Sequence, residues 1–198
     1  MELPGAPATY ALIIANLIAS LYGLLIDRRF VESFAFHVGA LARRKQHYRV
    51  FTSSFLHGDL FHLLFNMMTL FYFGPVVERI LGIDGFLVVY FGAILTSGIV
   101  SFYVNRKNLD YSSIGASDGV SGVLLSFCLF FPMEKIYFFF IPIGIPAIVF
   151  AVVFVAISAG LMGREGNRIS HEGHLGGALA GVVLTLMMRP DVIGRLFG

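Results

Sequence analysis

Ser112-Ser113-Ile114-Gly115-Ala116-Ser117-Asp118-Gly119-Val120-Ser121-Gly122 is a knot of small and polar residues set directly before the apolar run 123–131. Small residues let backbone or ligand approach closely. Gly115 and Gly119 are spaced as Gly-x-x-x-Gly, which in an apolar helix lets a neighbouring helix pack on the backbone. A lone hydroxyl with glycines around it has room, so Ser117 is a candidate nucleophile at the mouth of a membrane-buried helix. The same residues suit a helix-packing motif whose serines cap the helix.

The rest of the chain is oily. Of its 198 residues 57% are hydrophobic and 13% charged, with a mean hydropathy of +0.82. A soluble domain has about 45–50% apolar and about 25% charged residues, so a membrane protein is expected. The length suits one domain, 1–198, with no linker and no internal repeat. A formal net charge of +2 does not point to nucleic acid as a partner. The lone Cys128, inside an apolar run, can form no intrachain disulfide and reads as a small buried hydrophobe. The apolar N-terminal stretch has no Lys or Arg before it, so it reads as a retained span rather than a signal peptide.

Six apolar segments can be marked, at 9–26, 60–77, 86–104, 117–131, 144–162 and 174–188. The first, third and fifth are long enough to cross a hydrocarbon core of about 30 Å. The fourth and sixth are shorter. The connection 27–59 mixes Phe30, Phe34, Phe36 and Val38 with Arg43, Arg44, Lys45 and Arg49, as short amphipathic pieces in the membrane interface would. Pro132, Pro142 and Pro146 bracket the connection between the fourth and fifth segments, with the aromatic run 137–140 expected at the lipid boundary.

With six crossings, the second, fourth and sixth begin on one side. The polar residues stand at those beginnings: His62 and Asn66, Ser117, and His174. At about 1.5 Å of rise per residue they share a depth. Polar groups there are costly unless they meet each other or water, so such a cluster defaults to function. Histidine is the usual base for a serine hydroxyl, and His174 opens the small-residue segment 174–181, which carries Gly177-x-x-x-Gly181. Glycine-lined fourth and sixth helices would bring Ser117 within hydrogen-bond reach of His174. His62 and Asn66, four residues apart, share a helical face, and both can donate to an oxyanion. They could equally tie helices together.

Three motifs in order, His62-Leu63-Leu64-Phe65-Asn66, Gly115-Ala116-Ser117 and His174-Leu175-Gly176-Gly177-Ala178-Leu179-Ala180-Gly181, resemble the rhomboid family of intramembrane serine proteases. The resemblance runs over essentially the whole chain. It implies an all-α membrane protein, a six-transmembrane-helix bundle with an interfacial first loop. It also implies a Ser117–His174 dyad, an oxyanion site with His62 and Asn66, and peptide-bond hydrolysis in or beside the membrane. Transmembrane protein substrates and membrane lipid are then the expected partners. Three departures stand out. The family's Gly-x-Ser-Gly reads Gly115-Ala116-Ser117-Asp118; Ser121 stands where some members carry an aromatic against the histidine; and the family's Trp-Arg pair reads Tyr48-Arg49. Glu78-Arg79 resembles a family position that pins the long loop, and an interfacial charge pair would look the same.

No cofactor is expected. His171-Glu172-Gly173-His174 lacks the offset of a zinc-protease His-Glu-x-x-His, and no Cys or Asp completes a ligand set at zinc spacing. His57 and His171 are expected to tie loops together. A non-catalytic rhomboid-like binder of transmembrane segments is the alternative, with Asp118 as its support. A transporter would need a continuous polar path, and the polar residues gather at one end. Sidedness divides two lines of reasoning. About ten Lys and Arg lie on the odd-numbered connections and about four on the others, which by the positive-inside rule puts the site in the cytoplasm. The resemblance implies the reverse: a multi-pass prokaryotic plasma-membrane protein whose site opens outward. Oligomeric state and substrate are left open.

Overall fold

A computed structural model describes residues 5–138, 141–162 and 170–197 of the chain. It is mostly helical, with α1 (Pro7–Leu25), α2 (Arg28–Phe34), α3 (Val38–Arg44), α4 (Arg49–Thr52), α5 (Leu60–Asn105), α6 (Ser117–Phe130), α7 (Ala147–Leu161), α8 (His171–Met188) and α9 (Val192–Phe197). Two of these, α1 and α5, are long and apolar enough to cross a membrane; α6 and α7 are apolar but shorter.

The 46-residue α5 is two helices joined at Gly82, whose φ of 73° and ψ of 171° break the helical path. Glycine alone tolerates that backbone without a steric cost. The arm 83–105 then returns alongside α8. Gly85 faces Met188, Gly92 faces Leu184, and the Ser97 hydroxyl donates to the Gly173 carbonyl at 2.5 Å. The second and third apolar segments of the sequence are therefore the two arms of α5.

Helix ends follow local chemistry. Asp59 caps α5, its carboxylate accepting from the His62 amide at 2.8 Å. Ser170 caps α8, accepting from the Gly173 amide at 3.2 Å, so the sixth helix begins three residues before the expected 174. Pro7 opens α1, where its missing N–H costs nothing. The Ala8 and Thr9 amides and the Thr9 hydroxyl donate to the Glu78 carboxylate at 3.0, 2.7 and 2.7 Å. Glu78 therefore pins the start of α1, not the long loop.

The first connection is helical, as its mixed composition suggested. Arg49, 7% exposed, gathers it by donating to the Glu32 and Ala35 carbonyls, both at 2.9 Å, and to Gln46 Oε1 at 2.7 Å.

Two short ladders accompany the helices. β1 (Phe36–His37) pairs antiparallel with β2 (Ser112–Ser113), and β3 (Lys135–Phe138) pairs antiparallel with β4 (Ile141–Pro146). The fifth helix consequently starts at Ala147, not at 144, because Gly144 and Ile145 belong to β4 and Pro146 ends it.

α6 sits at the centre. Every residue from Gly119 to Phe130 is buried, as expected for a helix apolar on all faces. The opposite situation holds outside, where Ile14, Ile18, Leu25, Phe71, Tyr72, Val152 and Met187 are exposed. So much exposed apolar surface suits a lipid surround.

α6 and α8 touch backbone to backbone. A Cβ at Gly177 would collide with the Asp118 carbonyl oxygen, and one at Gly181 with the Gly122 carbonyl oxygen. Glycine contact between the fourth and sixth segments was expected, but Gly119 does not make it. Its Cα faces the Tyr90 ring, where a Cβ would lie 2.7 Å from Cε2.

Candidate active site

The loop before α6 is held by three anchors. The Ser112 hydroxyl donates to the Phe36 carbonyl at 2.8 Å, the Gly115 amide to the Ser53 carbonyl at 3.1 Å, and the Ala116 amide to His57 Nε2 at 3.3 Å. Gly115 has φ 143°, a conformation that favours glycine. Space demands glycine there as well. A Cβ would lie 2.6 Å from His62 Cε1, 2.9 Å from His62 Nε2 and 3.5 Å from Ser117 Oγ. The His62 ring and the Ser117 hydroxyl thus flank one glycine Cα.

His57 is fully buried and ties α1 to this loop, as expected of it. Because Nε2 accepts from Ala116, the proton sits on Nδ1, which donates to Ser20 Oγ at 2.8 Å; Ser20 then donates to the Phe55 carbonyl at 2.9 Å. Burial, reinforced by His62 and opposed by Asp59, pushes the His57 pKa down to about 3. The folded chain therefore keeps this ring neutral where an unfolded chain, titrating near 6.5, takes up a proton. The stability it contributes is full above about pH 6.5 and falls as pH drops toward 3. In detergent, His57→Gln is expected to melt lower than the parent at pH 7 and to lose less on acidification to pH 5. Equal losses in both proteins would contradict this.

The four site residues expected from the sequence, Ser117, His174, His62 and Asn66, line one cavity of about 540 Å³, within the usual range for ligand sites. Ser53, Asp59, Ser113 and Ser170 add polar groups to it, and Phe61, Phe65, Phe150 and Phe154 form an apolar wall. Ser117 opens α6 and His174 lies in the first turn of α8. No hydrogen bond joins them among the described residues; such contacts are often long before substrate binds. The Asn66 side chain spends one N–H on the His62 carbonyl at 2.9 Å, and its second has no partner among the described residues.

Asp118 borders the same cavity. Its Oδ1 lies 2.6 Å from where a Cβ on Gly173 would be, so it faces the first turn of α8. None of the hydrogen bonds among the described residues runs from the α6 amides to it.

Sequence reasoning missed a second set of residues that fix the start of α8. Tyr111 OH donates to Glu172 Oε1 at 2.6 Å and lies 3.0 Å from Ser170 Oγ, and Asn105 Nδ2 donates to Glu172 Oε1 at 2.8 Å. The available signal was a carboxylate two residues before a candidate base. His171 meets His174 edge-on, ring centroids 6.2 Å apart.

A buried helix offers a serine at its mouth, and histidines from two neighbouring helices line the same cavity. Residues 44–191 match the Rhomboid domain, and the chain belongs to the rhomboid family. It is 30% identical over 149 residues to "Rhomboid protease GluP" of Bacillus subtilis, covering 75% of this chain and 27% of the relative. It is 31% identical over 134 residues to "Rhomboid protein 1, mitochondrial" of Saccharomyces cerevisiae, covering 66% and 39%. It is 32% identical over 132 residues to the human "Presenilin-associated rhomboid-like protein, mitochondrial", covering 66% and 35%. The chain thus spans well under half the length of these three relatives.

Proposed function

We propose that this chain is an intramembrane serine protease that hydrolyses peptide bonds in or next to transmembrane segments of membrane proteins. The observation that carries the proposal is the convergence of Ser117, His174, His62 and Asn66, from three helices, on one cavity. In this reading α1, the two arms of α5, α6, α7 and α8 are six membrane crossings in a single domain, 1–198.

The chemistry is acyl transfer. Ser117 Oγ attacks the scissile carbonyl while His174 takes its proton. Negative charge develops on the carbonyl oxygen, where a His62 ring N–H and the remaining Asn66 N–H donate to it. His174 returns the proton to the leaving amine, and water then hydrolyses the acyl-enzyme. The polar groups Ser53, Asp59, Ser113 and Ser170 give water a path, and the phenylalanine wall suits an apolar substrate segment. The test is covalent capture. A serine-directed fluorophosphonate should label the purified protein at Ser117, and a transmembrane substrate should be cut by the same preparation. Absence of both would sink the reading.

A second reading, a non-catalytic binder of transmembrane segments, draws support from Asp118 on the cavity wall. A carboxylate beside a developing oxyanion repels it, more strongly in a dry site than in water. For a working protease, Asp118→Gly is expected to raise turnover only modestly. A gain of a hundredfold or more, roughly 2.7 kcal/mol of barrier, would favour the binder.

We further propose that the site opens to the outside of a prokaryotic plasma membrane. Arg44 is exposed at the end of α3. In intact cells, Arg44→Cys should react with a membrane-impermeant maleimide, and a C-terminal cysteine should not. The opposite pattern would put the site in the cytoplasm.

A further inference from the structure

Among the described residues no hydrogen bond joins His174 to Ser117, and an aromatic ring lies against the imidazole. The Phe154 ring lies nearly parallel to it, with centroids 5.8 Å apart and 23° between planes. Phe154 stacks in turn on Phe150, one turn earlier on α7, at 5.8 Å and 27°. The three rings form a column that begins on α7 and ends on the imidazole. Both phenylalanines also line the cavity. Ser121, one turn after Ser117 on α6, brings only a hydroxyl to the same cavity.

We propose that Phe154 is the positioning residue for His174: a flat ring, delivered by α7, that holds the imidazole in the plane from which it takes the Ser117 proton. This rests on the protease reading given above. Offset stacking favours the near-parallel orientation of the imidazole, because that orientation keeps the two ring faces in contact. The phenyl face also carries the negative end of the ring quadrupole, which suits the positive charge His174 gains during attack. The orientation of the base is therefore set from α7, while the nucleophile is set from α6. Any displacement of α7 moves the phenyl ring and frees the imidazole without disturbing Ser117.

Phe154→Leu keeps an apolar side chain and removes the flat face. It is expected to lower kcat roughly tenfold with KM little changed, and to slow fluorophosphonate labelling of Ser117 by the same factor. The melting temperature should stay near that of the parent. Phe154→Tyr keeps the ring and should retain parental rates. The ring protons of His174, shielded by the stacked phenyl, should shift in the NMR spectrum of Phe154→Leu and stay put in Phe154→Tyr. Unchanged kcat and an unshifted His174 signal in Phe154→Leu would overturn the proposal. So would an effect confined to KM, or equal losses in both variants together with a lowered melting temperature. Wild-type protein and Ser117→Ala are run alongside. If the wild type neither labels nor cleaves, the protease reading itself fails, and the NMR comparison still reports whether Phe154 orients His174.

Discussion

Replacing Ser117 with alanine is expected to abolish cleavage of a transmembrane test substrate, with a fall of about a thousandfold or more, equal to ~4 kcal/mol of barrier. The hydroxyl is the only group lost. Ser117 lies in the first turn of α6, where its neighbours are held by the Gly115 and Ala116 amide bonds rather than by the hydroxyl, so the fold should persist. His174→Ala should be similarly inactive. Because nucleophile and base act as a unit, the double mutant should be scarcely worse than either single. His62→Ala and Asn66→Ala, each removing one donor, should retain more activity than either dyad mutant. Turnover together with melting curves decides the matter. Substantial activity in Ser117→Ala would move the nucleophile, and Ser121, which lines the same cavity, would be examined next.

The second large effect concerns stability. At Gly181 there is no room for even one carbon, since a Cβ would meet the Gly122 carbonyl oxygen and would lie 2.5 Å from the Gly122 Cα. The obstacle is backbone on a central helix, so no side chain can swing away to make room. Gly181→Ala must push α6 and α8 apart, breaking the Thr185–Ser126 hydroxyl bond of 2.7 Å one turn further on. Overpacking of this kind costs about 3 kcal/mol or more when backbone must move. The variant should show a sharply lowered melting temperature, and its serine labelling should fall with it because His174 rides on the displaced helix. Gly194→Ala is the control: a Cβ there meets nothing within 4 Å. If Gly181→Ala melts like the parent, the close approach of the two helices is wrong.

Much of the site was legible because polar residues interrupt apolar runs. His62, Asn66, Ser117 and His174 stand out against their surroundings in sequence, and the bilayer makes such interruptions expensive. Phe154 could not be found that way. A phenylalanine inside an apolar segment looks the same whether it faces lipid or stacks on a histidine. The Gly82 reversal was visible only as a gap between two apolar segments, since nothing in Gly82-Ile83-Asp84-Gly85 says that one residue suffices to turn the chain. The β3–β4 hairpin was hidden by its own oiliness. Ile141, Ile143 and Ile145 alternate with Pro and Gly at the strand period of two, but the prolines invited a reading as connection. The direction of Asp118 was misread: the sequence points it at the amides of its own helix, and the structure turns it toward α8. A carboxylate in a helix's first turn has its own amides within reach, and only the closeness of α8 gave it another neighbour.

The Glu78 carboxylate, which accepts three bonds from the start of α1, also sets an order of assembly. During synthesis α1 leaves the ribosome about seventy residues ahead of the group that completes it. Until then the first amides of α1 have no internal partner and must remain with water or lipid headgroups. Its other end is in the same position, because Ser20 bonds to His57 and Phe55, which also come later. The nascent helix can insert early, but it cannot take up its final tilt and rotation until the chain has passed Glu78. By then the first arm of α5 lies beside it, and α1 and that arm lock as a pair before Ser117 has been translated.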